Sequence, residues 1–313
     1  MANRRKTDSQ IEKIKGEFKD ALLKVKTDEP LSKYTTFCIG GPAKFYVEVG
    51  TESEIQSFLK IIRKYDFPLF VIGAGSNLLV SDKGFDGIVL RLKGDFADIE
   101  FTPQDERPES NVEVRVGAGT MLQLLVKRSV DYGYTGFESL IGIPGTVGGA
   151  LVSNAGTSKG TISEFFESAT IIDIEGSVKT LKKNEVQFGY RSSNLEGKII
   201  LWAEFLIKSS TKEEVLQKIN ENLLERTKTQ PLGTFNAGSI FKNPEGKFAG
   251  QLIEECGLKG YRVGGASVSE KHANFILNNG KATSRDVQQI INEVRKKVLE
   301  KSGIKLDLEI KIV

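Results

Sequence analysis

Apolar residues recur at helical spacing at Ile11, Ile14, Phe18 and Leu22, so the chain is expected to open on a modest amphipathic helix. A turn from Tyr34 to Ala43 then leads into a strand over 45–49. Thr51 with Glu54 has the spacing of a capping box, and Ile55, Phe58, Leu59 and Ile62 mark one face of the helix it would start. After Pro68, the apolar run 69–72 is a short strand that ends in Gly73-Ala74-Gly75-Ser76-Asn77, with more strand at 87–92. This is a β-α-β unit whose second strand opens onto a glycine turn.

The polar, proline-bearing stretch 102–111 is expected to be a seam between sub-domains. Residues 112–116 alternate as a strand, and Thr120 is expected to cap a helix reaching about Asp131. Strands follow at 169–174, 178–181 and 198–208, with a turn at Glu175-Gly176. Thr211 caps a helix that carries Val215, Ile219 and Leu223 on one face and ends before Pro231. Residues 233–244 are Gly- and Asn-rich without period. Thr283 and Asp286 cap a late helix with Val287, Ile290, Ile291 and Val294, which Gly303 stops, and 304–313 alternates as a last strand. β-α-β units mixed with strand-rich stretches predict an α+β fold rather than one doubly wound sheet.

Composition narrows the function mainly by exclusion. Lys and Arg total 44 against 41 Asp and Glu, and the basic residues are scattered among acids, so no nucleic-acid or polybasic membrane footprint is visible. Two cysteines, Cys38 and Cys256, cannot make a disulfide framework, which suits a reducing cytoplasm. With His272 the only histidine, a His-rich metal centre is excluded and no metal is expected. The N-terminal MANRRKTDSQ is basic, but no apolar signal region follows it, and no window approaches a membrane span.

The candidate chemistry lies in the glycine turns. The stretch 136–160 is glycine-dense and nearly uncharged, and Gly145-Thr146-Val147-Gly148-Gly149-Ala150 can turn successive amides toward one anion. A purely structural loop remains the other reading of it. Gly73-Ala74-Gly75 begins like a dinucleotide fingerprint, but Leu78 stands where the third glycine belongs, and no Gly-Lys-Ser/Thr follows any glycine run. Ser76 and Asn77 could still donate hydrogen bonds to a pyrophosphate. Gly156-Thr157-Ser158-Lys159-Gly160 fits a nucleophile elbow but lacks a preceding buried strand, and Ser239-Ile240-Phe241-Lys242 fits Ser-x-x-Lys without its partner motifs. Taken singly, Arg191 reads as a surface arginine and Ser239 as a turn serine crowded by Asn236, Lys242 and Asn243. His272 reads as a structural histidine. Glu309 falls on the charged, solvent-facing side of the last strand.

Together, the stretches resemble one family in order along residues 31–313: the UDP-N-acetylenolpyruvoylglucosamine reductases. The resemblance is carried by Thr35-Thr36-Phe37, Ile39-Gly40-Gly41-Pro42-Ala43, Gly73-Ala74-Gly75-Ser76-Asn77-Leu78 and Gly142-Ile143-Pro144-Gly145-Thr146-Val147-Gly148-Gly149-Ala150. It continues through Asn154-Ala155-Gly156, Phe188-Gly189-Tyr190-Arg191, Ala237-Gly238-Ser239-Ile240-Phe241-Lys242-Asn243-Pro244, Lys271-His272-Ala273-Asn274-Phe275 and Leu308-Glu309-Ile310-Lys311. It implies a flavoprotein with a two-part FAD-binding domain of the vanillyl-alcohol-oxidase-like type and an α+β substrate domain. The expected division is an N-terminal helix in 1–30, an FAD domain over 31–208 with parts at about 31–100 and 101–208, and a substrate domain over 209–313.

The implied reaction is NADPH-dependent reduction of UDP-N-acetylglucosamine enolpyruvate through FAD. The FAD is held non-covalently, because the early histidine that tethers it in related oxidases is missing. Gly73, Ala74, Gly75, Ser76, Asn77, Pro144, Gly145, Thr146, Gly148 and Gly149 fall on the implied cofactor positions. Arg191, Ser239 and Glu309 fall on catalytic ones, and Tyr190, Lys242, Asn243 and His272 on or beside substrate contacts. The short interval from Arg191 to Ser239 resembles the subtype without an inserted tyrosine loop. Departures occur at Cys38, at Thr157-Ser158-Lys159 and at Gly233-Thr234-Phe235-Asn236. The partner expected is a small UDP-sugar enolpyruvyl ether, with no nucleic acid or membrane, and the assembly a monomer or weak oligomer. Another flavoenzyme of the same fold and a non-catalytic nucleotide-binding module are the competing readings.

Overall fold

Ile14 and Phe18 fix the first helix, α1 (Asp8–Asp20), because both are fully buried, with the Phe18 ring stacked on Phe58 and edge-on to Phe45. The computed structural model describes residues 8–107 and 109–313, so most of the basic N-terminal stretch lies outside the described residues. Leu22, expected on the same buried face, is 87% exposed at φ 58°. The helix closes two residues earlier. Leu23 donates its N–H to Phe18 O and takes the buried position instead.

β1 (Lys24–Pro30) lies antiparallel to β2 (Pro42–Val49), so residues 24–30 belong to the first sheet rather than to a separate N-terminal element. α2 (Glu52–Ile62) starts on Thr51, whose hydroxyl accepts from Glu54 N–H at 3.2 Å. Glu54 returns its carboxylate to Gly50 N–H, one residue before the cap, so the box is offset. β3 (Leu69–Val71), β4 (Leu78–Leu79) and β5 (Phe85–Leu92) follow, and the sheet order is β1-β2-β5-β3 with the β2, β5 and β3 strands parallel.

β6 (Ile99–Pro103) and β7 (Asn111–Gly117) pair antiparallel from Ile99↔Val116 to Pro103↔Val112. The expected seam at 102–111 is therefore a hairpin end within one sheet: its polar residues and prolines suit an exposed tip equally well. The first amide of α3 (Leu122–Tyr132), Leu122 N–H, donates to Gly145 O, and Thr120 donates its hydroxyl to Asp98 O, so Thr120 is not the cap.

β8 (Tyr134–Thr135), α4 (Val147–Ser153), the β9–β10 hairpin (Gly156–Thr157, Gly160–Thr161), β11 (Phe166–Ile172) and β12 (Val178–Lys182) come next. The β13–β14 hairpin (Phe188–Gly189, Ser192–Ser193) and β15 (Ile199–Ser209) complete the second sheet region. That sheet is antiparallel, in the order β12-β11-β15-β7-β6. The nucleophile-elbow reading fails here, since Gly156 and Gly160 flank a two-strand hairpin and no strand-to-helix turn.

α5 (Lys212–Thr229) is capped by Thr211 as expected, and its buried Val215 and Ile219 join the core of the second sheet. The core boundary thus falls after α5 rather than at 208–209. Leu223, expected to be buried, is 39% exposed on the wall of a cleft.

The remaining residues form α6 (Ala249–Glu255), the small sheet β16 (Arg262–Val263), β17 (Ala266–Val268) and β18 (Ile276–Asn278), and α7 (Ser284–Ser302), which a full Thr283/Asp286 capping box opens and Gly303 closes at φ 71°. The expected last strand is broken. Only β19 (Lys311–Ile312) pairs, parallel to β4, while Leu308 makes an isolated bridge to Phe241. With the first sheet as one lobe and the second sheet with α5 as another, residues 230–313 make a third, and Leu306 and Ile310 still point into its core, which also takes Phe37, Ile39 and Leu79 from the first. Asp82 ties the two lobes by accepting from Ser284 N–H and Oγ–H, each at 2.8 Å.

Candidate functional site

A cleft of about 1010 Å³ runs between the glycine loops, α5 and the third lobe. Thr146 caps α4 by accepting from Gly149 N–H at 3.3 Å, and a Cβ on Gly73 would stand 2.4 Å from the same Thr146 oxygen. The two glycine loops therefore touch at Gly73. Gly75, at φ 63°, is required for a second reason, because a Cβ there would meet Tyr34 O at 2.0 Å. Ser76 Oγ donates to Pro144 O at 2.6 Å and locks the loops together at the cleft rim. Asn77, expected to face a ligand, donates Nδ2 to Glu309 O at 3.0 Å.

Arg191 sits at the tip of the β13–β14 hairpin at φ 53°, a left-handed conformation uncommon outside glycine. It turns its guanidinium back to donate Nη2 to Gly156 O at 2.9 Å and Nη1 to Asn154 O at 3.5 Å. Its Nε lies 2.9 Å from Glu309 Oε1, with side-chain exposures of 23% and 17%. That Nε–H has no aligned hydrogen-bond acceptor, so the contact is a charge pair rather than a directed bond.

Burial raises the Glu309 pKa despite the opposing pull of the Arg191 and Lys242 cations. The expected solvent-facing position of Glu309 is thus overturned. Period-2 alternation assumes a strand with a wet face, whereas this segment is a single extended rope running through the cleft wall.

Ser239 reaches the cleft on a loop bridged to Phe275. Asn274, 3% exposed, braces that loop by donating to Phe241 O and accepting from Phe241 N–H, at 2.8 and 2.9 Å. Burial lowers the His272 pKa, and His272 Nδ1 accepts from Asn274 N–H at 3.2 Å, which leaves Nε2 as the protonated donor of a neutral ring. Asn243 uses Oδ1 to accept from Ala249 N–H and its own N–H to reach the Tyr190 hydroxyl at 3.3 Å.

Ser76, Asn77, Pro144, Arg191, Ser239, Asn243, His272 and Glu309 line the cleft. Gly73, Ala74, Gly75, Gly145, Thr146, Gly148, Gly149, Tyr190 and Lys242 stand behind or beside that lining. Two wall residues escaped sequence reasoning. Arg226 of α5 carries a buried Nε with no hydrogen-bond partner; it lies seven residues after the buried Ile219 on the same helix face, a signal that could have separated it from the exposed Glu225 and Lys228. Asn274 was visible only as a neighbour of His272.

Residues 230–313 match the model for the UDP-N-acetylenolpyruvoylglucosamine reductase C-terminal domain, and residues 43–182 match an FAD binding domain. The chain is 41% identical over 292 residues to the UDP-N-acetylenolpyruvoylglucosamine reductase of Lachnoclostridium phytofermentans, covering 93% of each chain. Identity to UDP-N-acetylenolpyruvoylglucosamine reductase 2 of Symbiobacterium thermophilum is 42% over 291 residues and 92% of each. A crystal structure of the Thermus caldophilus reductase superposes with a TM-score of 0.77 at 37% identity, covering 93% of this chain and 98% of that one.

Proposed function

The chain belongs to the UDP-N-acetylenolpyruvoylglucosamine reductase family, and from that premise we propose how its own residues perform the reaction. It is an FAD-dependent oxidoreductase that uses NADPH to reduce UDP-N-acetylglucosamine enolpyruvate to UDP-N-acetylmuramate for peptidoglycan. The residues present fit FAD: the cleft has the volume for an extended ligand, two interlocked glycine loops form one wall, and a buried guanidinium beside that wall lacks a counter-charge. Gly73 to Asn77 and Pro144 to Gly149 would hold the cofactor. Residues 24–229 form the cofactor-binding part of this reading, and 230–313 the substrate part.

Hydride relay from NADPH to the β-carbon of the enol ether is the chemistry that bound FAD supplies. The protein must then stabilise the negative charge that grows at the α-carbon and its carboxylate. Arg191 is permanently cationic and is fixed by two backbone carbonyls, so it meets that charge without reorganising. Burial raises the Glu309 pKa, and on meeting the substrate's carboxylate Glu309 takes up a proton and donates a hydrogen bond to it. Ser239 delivers the proton to the α-carbon. A hydroxyl is a weak acid, and it succeeds only against a strongly basic carbanion-like centre at close range. His272, through Nε2–H, Lys242, Asn243 and Tyr190 orient the UDP-sugar.

The observation that carries this reading is the Arg191–Glu309 pair at 2.9 Å on the same cleft as Ser239. In stopped-flow absorbance, Ser239→Ala should let NADPH bleach bound FAD at the wild-type rate and stall reoxidation by the enolpyruvyl substrate. Normal rates in both halves would remove Ser239 from the mechanism. We further propose a cytoplasmic enzyme, monomeric or weakly associating. Its cysteines are free, and among the described residues no helix is long and apolar enough to cross a membrane.

A further inference from the structure

Arg226 is the electrostatic anomaly of the cleft. Its Nη2 donates to Gly142 O at 3.2 Å, while Nε is buried without any partner. Among the described residues no carboxylate lies within ion-pair distance of it. The adjacent Glu225 turns away to Lys159 at 2.8 Å. Burial, and after it repulsion by Arg191, lowers the Arg226 pKa. A desolvated guanidinium repelled by a second arginine is unfavourable, and an anion in the cleft relieves that cost.

The position of Arg226 favours a charge on the cofactor over one on the other ligands. Its anchor, Gly142, is two residues from Pro144, whose carbonyl holds Ser76 and so closes the glycine cradle. Arg226 is therefore fastened to the cofactor wall, whereas His272 and Asn243 stand on the opposite, third-lobe wall. We propose that Arg226 is the counter-charge for the reduced form of the flavin, which bears negative charge on its pyrimidine ring at neutral pH, and that it sets the flavin's reduction potential. The assignment rests on the FAD reading above. It makes Arg226 a residue for the redox poise of the cofactor, distinct from Arg191, which serves the substrate's charge. Placing a cation there favours the two-electron reduced state without altering the atoms or electrons exchanged with NADPH.

The test replaces Arg226 with Met, which keeps the stem and removes the charge, and with Lys, which keeps the charge. Midpoint potentials are measured on the FAD-loaded proteins by dye-coupled anaerobic titration. Arg226→Met should bind reduced FAD at least about tenfold more weakly relative to oxidised FAD, which for this couple lowers the midpoint by about 30 mV or more. Arg226→Lys should recover most of that shift. Dissociation constants for oxidised FAD, NADP⁺ and UDP-N-acetylglucosamine should stay within about threefold of wild type.

An unchanged potential in Arg226→Met overturns the assignment. So does a tenfold loss of NADP⁺ or UDP-sugar affinity with the potential intact, which would make Arg226 a phosphate anchor. If Arg226→Met does not retain FAD, Arg226→Gln is read by the same criteria, and loss of oxidised FAD from both variants makes Arg226 a binding group for the whole cofactor and likewise overturns the assignment. Wild-type protein that binds no FAD would instead refute the functional reading itself.

Discussion

Gly73 offers a test of why the glycine loops are glycine at all. Its backbone is outside the left-handed region, so alanine is conformationally allowed there. The new methyl would stand 2.4 Å from Thr146 Oγ1 and 3.4 Å from Thr146 Cβ and Cγ2. To admit it, the Thr146 side chain must leave the α4 cap, which costs about 1 kcal/mol. Residual overpacking adds about 1–3 kcal/mol, so Gly73→Ala should destabilise by about 2–4 kcal/mol. Thr146→Ala alone should cost about 1 kcal/mol for the cap. In the double variant the clashing oxygen is gone and the next atom, at 3.4 Å, is tolerable, so its cost should match Thr146→Ala alone. The cycle then shows a favourable coupling of about 2–4 kcal/mol. Guanidinium unfolding of the apoprotein reads the stabilities, and flavin fluorescence quenching reads FAD binding in parallel. Additive costs would refute the packing argument. So would a Gly73→Ala protein of wild-type stability that cannot bind FAD, since the glycine would then serve the ligand's approach.

Glu309→Gln should change how stability depends on pH. The folded pKa of Glu309 is raised, so its contribution is complete below the ordinary carboxylate pKa of 4.5 and is lost as pH rises through the folded value. Apoprotein unfolding midpoints should therefore fall behind those of Glu309→Gln as the pH rises, and parallel curves would show that burial does not raise the Glu309 pKa. The same variant should flatten the alkaline limb of the reoxidation half-reaction. Asn274→Ala strands the buried N–H and C=O of Phe241 and should cost roughly 2–4 kcal/mol. It should appear as a lower denaturant midpoint at unchanged slope, with oxidised FAD bound normally.

The helices were legible because their signals are local. Thr51, Thr211 and Thr283 start α2, α5 and α7 at the positions that their side chains announce. Thr120 misled because the first amide of α3 is satisfied by Gly145, whose approach no local pattern encodes. The same holds for the site. Ser239 and Arg191 could be singled out through a resemblance, but alternation along 304–313 placed Glu309 in water. Its burial comes from Arg191 and Asn77, which are distant in sequence and write nothing into the period of the strand. Arg226 illustrates the limit, since an unpaired buried cation is defined by what surrounds it.

The hydrogen bond from Asn77 to Glu309 spans 232 positions, and the parallel pairing of β4 with β19 spans 233. During synthesis the first two lobes can consolidate their own cores early, but the cleft has only one wall until the segment around Glu309 has left the ribosome. Until then Arg191 waits without its carboxylate, and FAD meets a half-built surface. Closing so long a loop is slow compared with forming either sheet. A prematurely terminated chain would therefore hold much of the fold and none of the activity, and the enzyme's appearance in the cell would lag behind that of its polypeptide.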